Sequence, residues 1–231
     1  MASFKSVNWF RRNIEASSIY YAPESLLSVY KTQKTSAITP TANLLSCPAV
    51  VKRRADLFIV RCPYDLRLRY VGPPGEGAIH VVHPGTSIVD SKLKSIFTLS
   101  AREDWADPNV PVAQLSTPYV FTSEQPVDVI QLNNPMDFGI ATGFRLIEGQ
   151  FPIDRWLRPL SFAFEWLDTD RDICFKRGQP WFALQFRSRE DYEAKIKLSE
   201  VEETPEFANL IRRNANVTSY IKGTSNLFTG D

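Results

Sequence analysis

The sequence predicts a mainly β fold, either an antiparallel β-sandwich or a jelly-roll-like barrel, with a few short peripheral helices. Short runs in which apolar and polar residues alternate recur along the chain, and turn residues, including 16 prolines, separate them. A length of 231 residues suits a single all-β domain. Aromatic residues make up 12% of the chain, so it can build a large core.

We expect three parts, namely an N-terminal arm with short helices, a β-rich core domain and a C-terminal helical segment, which span 1–45, 46–200 and 201–231. In the arm, Phe4, Val7 and Phe10 recur at helical spacing, and Pro23 suits the first position of a second short helix. Residues 32–43 are polar and predict an extended linker. Helices this short are marginal without a surface to pack on, so we expect the arm to be tethered.

Alternation and turn signals define the elements of the core domain. A half-buried strand is predicted at 66–70, where apolar and charged residues alternate, and 79–82 returns after a Gly-Pro-Pro-Gly turn as the second arm of a hairpin. Further along, Thr204, Pro205 and Glu206 predict the start of a helix: a hydroxyl cap, a proline at the first helical position, and a carboxylate against the helix dipole.

A second hairpin is predicted from 172–176 and 181–186, which are joined by four residues that include Gly178. In its second arm, alternate residues on one side are all apolar, and we expect this side to face the core. These residues are Phe182, Leu184 and Phe186.

Five large aromatic residues of the arm are the candidate partner-binding residues: Trp9, Phe10, Tyr20, Tyr21 and Tyr30. On a segment that is weakly self-supporting, such side chains are expected to anchor the arm either to a partner or to its own parent domain. The arm therefore predicts a protein partner or a homo-oligomer.

Charge composition argues against a nucleic-acid partner. The 27 basic and 26 acidic residues leave a net charge of +1, whereas a domain that binds nucleic acid usually has a strong basic excess. Lys52, Arg53 and Arg54 form the best local basic run, and so short a run is typical of a solvated face.

The cysteines and the N-terminus bear on the compartment. Cys47, Cys62 and Cys174 have no paired spacing, so they predict no disulfide framework and favour a reducing compartment. We expect Cys62 and Cys174, which lie in β-like runs, to be small core residues. The first residues lack the apolar core of a secretory signal, and no apolar window is long enough to span a membrane.

His80 and His83 are the chain's two histidines and its candidate metal ligands. On a strand, residues three apart point to opposite faces, so both could bind one metal only if the chain bends before Pro84. A cupin-like site lacks its third histidine, and hydrolase and phosphate-loop motifs are absent. We therefore expect no cofactor, no metal and no catalytic residue, which argues against an enzyme.

Two further groups of residues leave alternatives open. The acidic residues Glu165, Asp168, Asp170 and Asp172 could bind Ca²⁺ or carry acid–base chemistry, but a polar loop between two strands is the simpler interpretation.

Trp156, with Arg155 and Arg158 beside it, could form a stacking surface for a base or a sugar. The alternative is that Trp156 packs at the corner that leads into the strand beginning at Ser161.

Three segments carry a resemblance. The stretch GQFPIDRWLRPLSFAFEW partly matches the pattern G-x-F-D-I-x-x-W-F-R-P, ICFKRGQPWFALQF partly matches I-x-x-K-x-G-x-P-L-x-x-V-x-F, and PYVFTSEQP partly matches Y-x-F-F-S-E-x-P. These patterns resemble a group of uncharacterised proteins of tailed bacteriophages, especially marine phages. The sequence departs from the first pattern at Pro152 and Leu157. The matching residues are Gly149, Phe151, Ile153, Trp156, Arg158, Pro159, Ile173, Lys176, Gly178, Pro180, Phe186, Tyr119, Phe121, Ser123, Glu124 and Pro126.

The resemblance implies a viral origin, with a location in the virion or the host cytoplasm, and it implies no activity. Our first hypothesis is a non-enzymatic structural or interaction protein that docks on a neighbouring subunit through its N-terminal arm. The alternative is a cupin-like or jelly-roll enzyme or binding protein that uses the barrel mouth as its pocket. A second alternative is an infection-stage regulator that binds a host protein.

Overall fold

The computed structural model describes residues 3–12, 17–32, 47–73, 76–136 and 143–220. Within these ranges the chain forms 14 β-strands and four α-helices. The strands are β1 (Phe4–Arg11), β2 (Glu24–Ser25), β3 (Leu57–Arg61), β4 (Leu66–Val71), β5 (Ala78–Val81), β6 (Phe97–Leu99), β7 (Val112–Thr122), β8 (Val127–Leu132), β9 (Phe144–Leu146), β10 (Gly149–Pro152), β11 (Pro159–Trp166), β12 (Ile173–Phe175), β13 (Pro180–Ser188) and β14 (Lys195–Glu200). The helices are α1 (Leu26–Thr32), α2 (Pro48–Ala55), α3 (Asp90–Ile96) and α4 (Pro205–Tyr220).

The strands form three sheets. A six-stranded sheet has the order β14-β1-β7-β11-β9, with β6 also paired to β7; a five-stranded sheet has the order β10-β8-β13-β3-β2; a three-stranded sheet has the order β12-β4-β5. Every pairing of described strands is antiparallel except that of β1 with β14, which is parallel. The prediction of a mainly β fold is confirmed.

One large apolar core joins the three sheets. Phe162 of β11, Phe182 of β13 and Leu68 of β4 belong to it and come from a different sheet each. Many of its members are aromatic; the ring of Phe162, for example, lies 4.6 Å from that of Trp181, centroid to centroid. Because the inner faces of the sheets meet around this shared core, the architecture is that of a β-sandwich.

The predicted helix near the N-terminus is wrong for the described residues, since Phe4–Arg11 is the strand β1. It pairs with β14 on one side and β7 on the other, so both of its edges are satisfied. Val7 and Trp9 face the large core, whereas Phe10 packs on the opposite face against Phe207 of α4. A central strand carries apolar residues on both faces, so apolar and polar residues do not alternate along it. The spacing of its apolar residues can then resemble that of a helix.

The two predicted hairpins have opposite outcomes. The first is confirmed, because β4 and β5 pair in antiparallel register, with Arg69 opposite His80. The second is wrong: β12 pairs with β4 in the three-stranded sheet, whereas β13 pairs with β3 and β8 in the five-stranded sheet. Gly178 has φ +78° in the connection, so the chain does turn there, but it turns between sheets.

Helices cover the outer faces of two sheets. Leu26 of α1 packs with Leu57, Ile59 and Ala183, which lie on β3 and β13, so this second face of the five-stranded sheet is also buried. The start of α4 is confirmed, and the Thr204 hydroxyl accepts a hydrogen bond of 3.3 Å from the Phe207 N–H.

Parts of the predicted arm and C-terminal segment therefore pack directly on the β-rich core. Strand β1 lies within the six-stranded sheet, and α4 covers that strand. The division of the chain at 45/46 and 200/201 into folding units stays a prediction, and the predicted linker at 32–43 lies outside the described residues apart from Thr32, the last residue of α1.

Candidate functional site

Three of the five aromatic residues predicted to bind a partner are buried inside this chain. Trp9, Phe10 and Tyr20 are 4%, 1% and 7% exposed. Tyr20 packs edge-on against Tyr64 and Tyr119, with centroid distances of 6.4 and 5.7 Å, and burial raises its pKa to about 12. Of the two roles that the sequence left open for these side chains, the structure gives these three the role of anchors to the parent domain.

Tyr21 and Tyr30 are half-buried. The Tyr21 carbonyl accepts a hydrogen bond from the Tyr119 hydroxyl at 2.5 Å. The ring of Tyr30 lies against the guanidinium group of Arg54, 3.9 Å from its central carbon, and packs on the cluster under α1. Both contacts join the predicted arm to the core domain.

His80 and His83 do not converge. Both are exposed; His80 lies on β5 and His83 follows the strand, where its Nε2 is 3.1 Å from a carboxylate oxygen of Asp90. Among the described residues, no group of three or more His, Cys, Asp or Glu side chains is arranged to hold a metal ion.

Arginine side chains pair with two carboxylates of the acidic segment, Asp172 and Glu165. Asp172 accepts hydrogen bonds of 2.7 and 2.9 Å from Arg69 and one of 2.6 Å from Arg67. These hydrogen bonds lower the pKa of Asp172 from its usual value to about 2, and those from Arg69 contribute most. Glu165 accepts a 2.7 Å bond from Arg145 on the neighbouring strand β9. These carboxylates tie strands together rather than converging on a shared ligand.

A cavity of about 320 Å³ lies where β12 connects to β13, and its lining includes the thiols of Cys62 and Cys174. Cys62 is buried, as predicted, and burial raises its pKa to about 12. A thiol held in its neutral form is a poor nucleophile, because the thiolate is the reactive species. Cys174 is exposed, so its predicted place in the core is wrong: it occupies the solvent side of the short strand β12.

An open strand edge is the feature that sequence analysis missed. Strand β14 ends the six-stranded sheet and pairs only with β1 among the described strands. The N–H group of Lys195 donates to the Ser3 carbonyl and that of Val201 to the Trp9 carbonyl, so alternation turns the N–H groups of Ile196, Leu198 and Glu200 away from the sheet. Within the described part of the chain these outward groups have no hydrogen-bond partner.

The two faces of β14 differ in chemistry. Ile196 and Leu198 are half-buried and pack on the large core. Lys195 and Lys197 are exposed on the other face, where Lys195 lies directly opposite Phe4 of β1. The open edge therefore presents backbone donors and acceptors flanked by two lysines and an aromatic ring.

A groove of about 1260 Å³ lies next to this edge, and we call it the edge groove. Its walls come from α2, the end of β13 and the segment that leads into β14. Tyr192 and Phe4 line it with 83% and 65% of their surface exposed. Large aromatic side chains so exposed are typical of surfaces that contact another protein.

One ion pair and one hydroxyl hydrogen bond connect residues of the edge-groove walls. The Lys52 amine donates a 3.0 Å hydrogen bond to Glu193, which raises the pKa of Lys52. The Ser3 hydroxyl bonds to Asp191 and lowers the pKa of that carboxyl. The basic run on α2 is thus partly engaged: Lys52 with Glu193, and Arg54 with Tyr30.

Sequence signals for this site were weak. Phe4 was assigned to a helical stripe, and a lone Tyr192 between charged residues has no pattern around it. The position of β14 at the end of a sheet depends on its pairing with β1, which is far away in sequence.

No protein-family model matches this chain, and no curated protein is significantly similar to it in sequence. Among the described residues, no helix is both long enough and apolar enough to cross a membrane.

Proposed function

We propose that this protein is a non-enzymatic structural protein of a phage-like virus, and that it docks on a neighbouring subunit. The proposal differs from the sequence-based hypothesis in the surface that it uses. Strand β1 is built into the six-stranded sheet, and its aromatic residues Trp9 and Phe10 are buried, so we assign docking to the edge of β14 and the edge groove.

The observation that carries the proposal is the outer edge of β14, which has no strand partner within the described part of the chain and lies beside two exposed aromatic side chains. An extended segment of a neighbouring protein can add to such an edge as a further strand, which gains main-chain hydrogen bonds from one partner and side-chain contacts from alternate residues. The outward N–H and C=O groups of Ile196 and Leu198 supply those hydrogen bonds, and Tyr192, which lines the edge groove just before β14, supplies an apolar contact at the end of the edge.

The positive charge beside the outer edge of β14 indicates which kind of segment would pair with it. Lys195 and Lys197 point to the same face, so an incoming strand whose alternate residues are acidic would place its carboxylates beside them. A second copy of β14 is a poorer occupant, because two-fold pairing centred on Lys197 places that lysine opposite itself. The proposed occupant is therefore an extended acidic segment of a different subunit.

The phage assignment is supported by the resemblance of segments within 119–186. Its matching residues serve the fold: Ile153 is buried, Phe151 packs edge-on against Trp156 at 5.5 Å, and Gly178 takes the positive φ of the turn between sheets. Residues of this kind suit a scaffold that presents a surface.

The first test is mass spectrometry of purified particles from the infected host. A structural role predicts that the protein is present in a fixed ratio to the other particle proteins. Absence from particles, with abundance in the infected cytoplasm, would reject the structural role and favour a regulator that binds a host protein.

The second test uses carbodiimide, which joins an amine to a carboxylate without a spacer. We expect cross-links from Lys195 or Lys197 to an acidic segment of another particle protein. The double variant Lys195→Glu/Lys197→Glu should lose the partner in co-purification, whereas Lys94→Glu, on the exposed side of α3, should retain it. Equal co-purification of both variants would rule out this edge as the docking surface.

A further inference from the structure

A second concave site lies at the opposite end of β1 from the edge groove. It is a cavity of about 510 Å³ between the end of α3, the middle of β7, the segment that leads into β11 and the middle of α4. We call it the arginine cavity, after Arg12 and Arg158, which line it. Its volume is within the range of roughly 300–1,000 Å³ that is common for small-molecule sites.

The charge of the arginine cavity has one sign. Its ionisable lining residues are Arg12 and Arg158, and no carboxylate lines it within the described part of the chain. The remaining lining residues are apolar or neutral, and they include the hydroxyl residues Ser116 and Ser161 and the aromatic Trp156. Arg12 is paired with Glu203 outside the lining, whereas Arg158 has no described carboxylate partner, so a neutral ligand would leave the charge of Arg158 uncompensated and an anion would pair with it.

Arg158 is a half-buried cation with few partners. Its guanidinium carbon lies 4.7 Å from the centre of the Trp156 ring, and its Nε makes one long hydrogen bond of 3.4 Å to the Pro159 carbonyl. No described carboxylate lies within ion-pair distance of it, unlike Arg61, which has one such partner, and Arg189, which has two. Burial lowers the pKa of Arg158, which reflects the cost of holding this charge away from water.

Arg12 is the second cation that lines the arginine cavity. Its Nε lies 3.5 Å from a carboxylate oxygen of Glu203, so Arg12 has one ion-pair partner. The Arg12 side chain is 37% exposed, whereas its Nε is buried, so a ligand would meet the charge of Arg12 rather than this donor. The two arginines thus place positive charge at the same cavity.

We propose that the arginine cavity binds the phosphate group of a small organic phosphate monoester. A phosphate monoester is close to a dianion at neutral pH, which matches two guanidinium groups, and its three terminal oxygens can accept from both arginines and from the hydroxyls of Ser116 and Ser161. The cavity is larger than phosphate alone requires. The remaining space is bordered by Trp156, Ile96 and Ile211, which suit the organic part of the ligand.

This inference goes beyond the proposed docking role and is independent of it. The docking surface is formed by residues near Phe4 and β14, whereas the arginine cavity is formed by residues near Arg12, α3 and α4. The failure of either proposal therefore leaves the other in place.

Calorimetric titration of the full chain at pH 7.5 tests the site with three probes at matched ionic strength: inorganic phosphate, ribose 5-phosphate and AMP, with acetate as the control anion. We expect AMP and ribose 5-phosphate to bind at least about tenfold more tightly than inorganic phosphate, and acetate to bind most weakly. Equal affinity for inorganic phosphate and AMP would reject an organic ligand. Affinities no better than that of acetate would reject the site.

Two substitutions test whether AMP binds in the arginine cavity. Arg158→Gln should weaken AMP binding by about tenfold or more, because a hydrogen-bonded charge pair is lost. The matched control is Arg155→Gln, which removes a neighbouring, more exposed arginine that does not line the cavity, and it should bind within about twofold of the original chain.

A second variant covers the case in which Arg158→Gln does not fold. Ser116 is exposed on β7 at the cavity, so Ser116→Glu is expected to fold and to place a carboxylate beside the arginines. It should also weaken AMP binding by about tenfold or more. Unchanged binding in a folded Arg158→Gln variant, or in Ser116→Glu, would overturn the proposal.

Discussion

Strands β13 and β14 follow one another along the chain, yet they are used in different ways. Strand β13 pairs with β3 on one edge and β8 on the other, and residues 181–186 are buried on both faces. Strand β14 pairs on one edge, buries one face and turns two lysines to solvent. Strand β13 therefore uses both edges and both faces within the fold, whereas the described part of the chain leaves the outer edge and one face of β14 uncovered.

The largest expected effect comes from the centre of β13. Leu184→Ala removes a fully buried side chain between aromatic neighbours, and we expect it to lower the free energy of unfolding by about 3 to 5 kcal/mol. Urea denaturation measures this change. Leu210→Ala, on the half-exposed side of α4, is the control and should cost less than about 1 kcal/mol. Similar losses in both variants would contradict the two-face burial of β13.

Hydrogen exchange tests the open edge of β14 directly. The amides of Lys197 and Ser199 point toward β1 and should exchange at least about a hundredfold more slowly than those of Ile196 and Leu198, a difference of roughly 3 kcal/mol in opening free energy. Amides along β13 should all be slow, since both of its edges are paired. Uniform protection along β14, measured by NMR on the isolated chain, would mean that its outer edge is covered.

A charged contact at the periphery should have a smaller effect than burial in β13. Asp172 joins β4 to the segment before β12 through Arg67 and Arg69, and its pKa is lowered to about 2. A carboxyl whose folded pKa is depressed stabilises the protein above its unfolded pKa, near 4, and this contribution is lost as the pH falls from about 4 to 2.

Asp172→Asn should therefore lower stability by about 1 kcal/mol at pH 7, a value reduced for solvent screening, and by less at pH 2. Thermal unfolding at a series of pH values measures the difference between the two proteins. Asp107→Asn, in the loop after α3 and β6, serves as the control, because its carboxylate has no arginine or lysine partner among the described residues. A pH-independent cost for Asp172→Asn would contradict the charge-based explanation.

The smallest expected effect on folding is at the edge groove. Tyr192→Ala removes a side chain that is 83% exposed, so it should change stability by no more than about 0.5 kcal/mol. The proposed docking predicts that the same change weakens partner binding by about tenfold or more, since exposed aromatics often dominate interface energies. Leu167→Ala, at another exposed apolar residue, should alter neither quantity. Unchanged partner binding in Tyr192→Ala would remove the aromatic part of the docking proposal.

Short sequence motifs correctly predicted the elements that depend only on residues close together in the sequence. The β4–β5 hairpin and the start of α4 at Thr204 were both predicted, because a turn and a helix cap are set by a few adjacent residues. Burial of Cys62 also followed from its strand. The element that local spacing misassigned was β1, whose character depends on distant strands that flank it and on α4, which covers Phe10.

The second predicted hairpin failed for a related reason. Two β runs joined by a tight turn resemble a hairpin whether the strands pair with each other or separate into different sheets. Strand β12 is satisfied by β4, and β13 by β3 and β8, so the connection around Gly178 became a corner of the sandwich. The exposure of Cys174 follows from this, because β12 has a solvent side that a hairpin within the core would not have given it.

The candidate sites were less predictable than the fold. Trp9, Phe10 and Tyr20 were expected to bind either a partner or the parent domain, and a sequence alone does not distinguish an aromatic residue that fills a core from one that lies on a surface. The arginine cavity joins Arg12 to Arg158, which are far apart along the chain. The pairing of Trp156 with Arg158 was visible in the sequence, but the second cation was not.

The sequence by itself determined the mainly β class, the positions of most strands and the absence of familiar catalytic motifs, because these depend on composition, alternation and short motifs. The tertiary structure decided which strand pairs with which, which aromatic side chains are buried and where, among the described residues, a strand edge stays unpaired and a cavity stays open. Pairing and burial depend on contacts between residues that are distant along the chain, and the free energy of those contacts has no local signature.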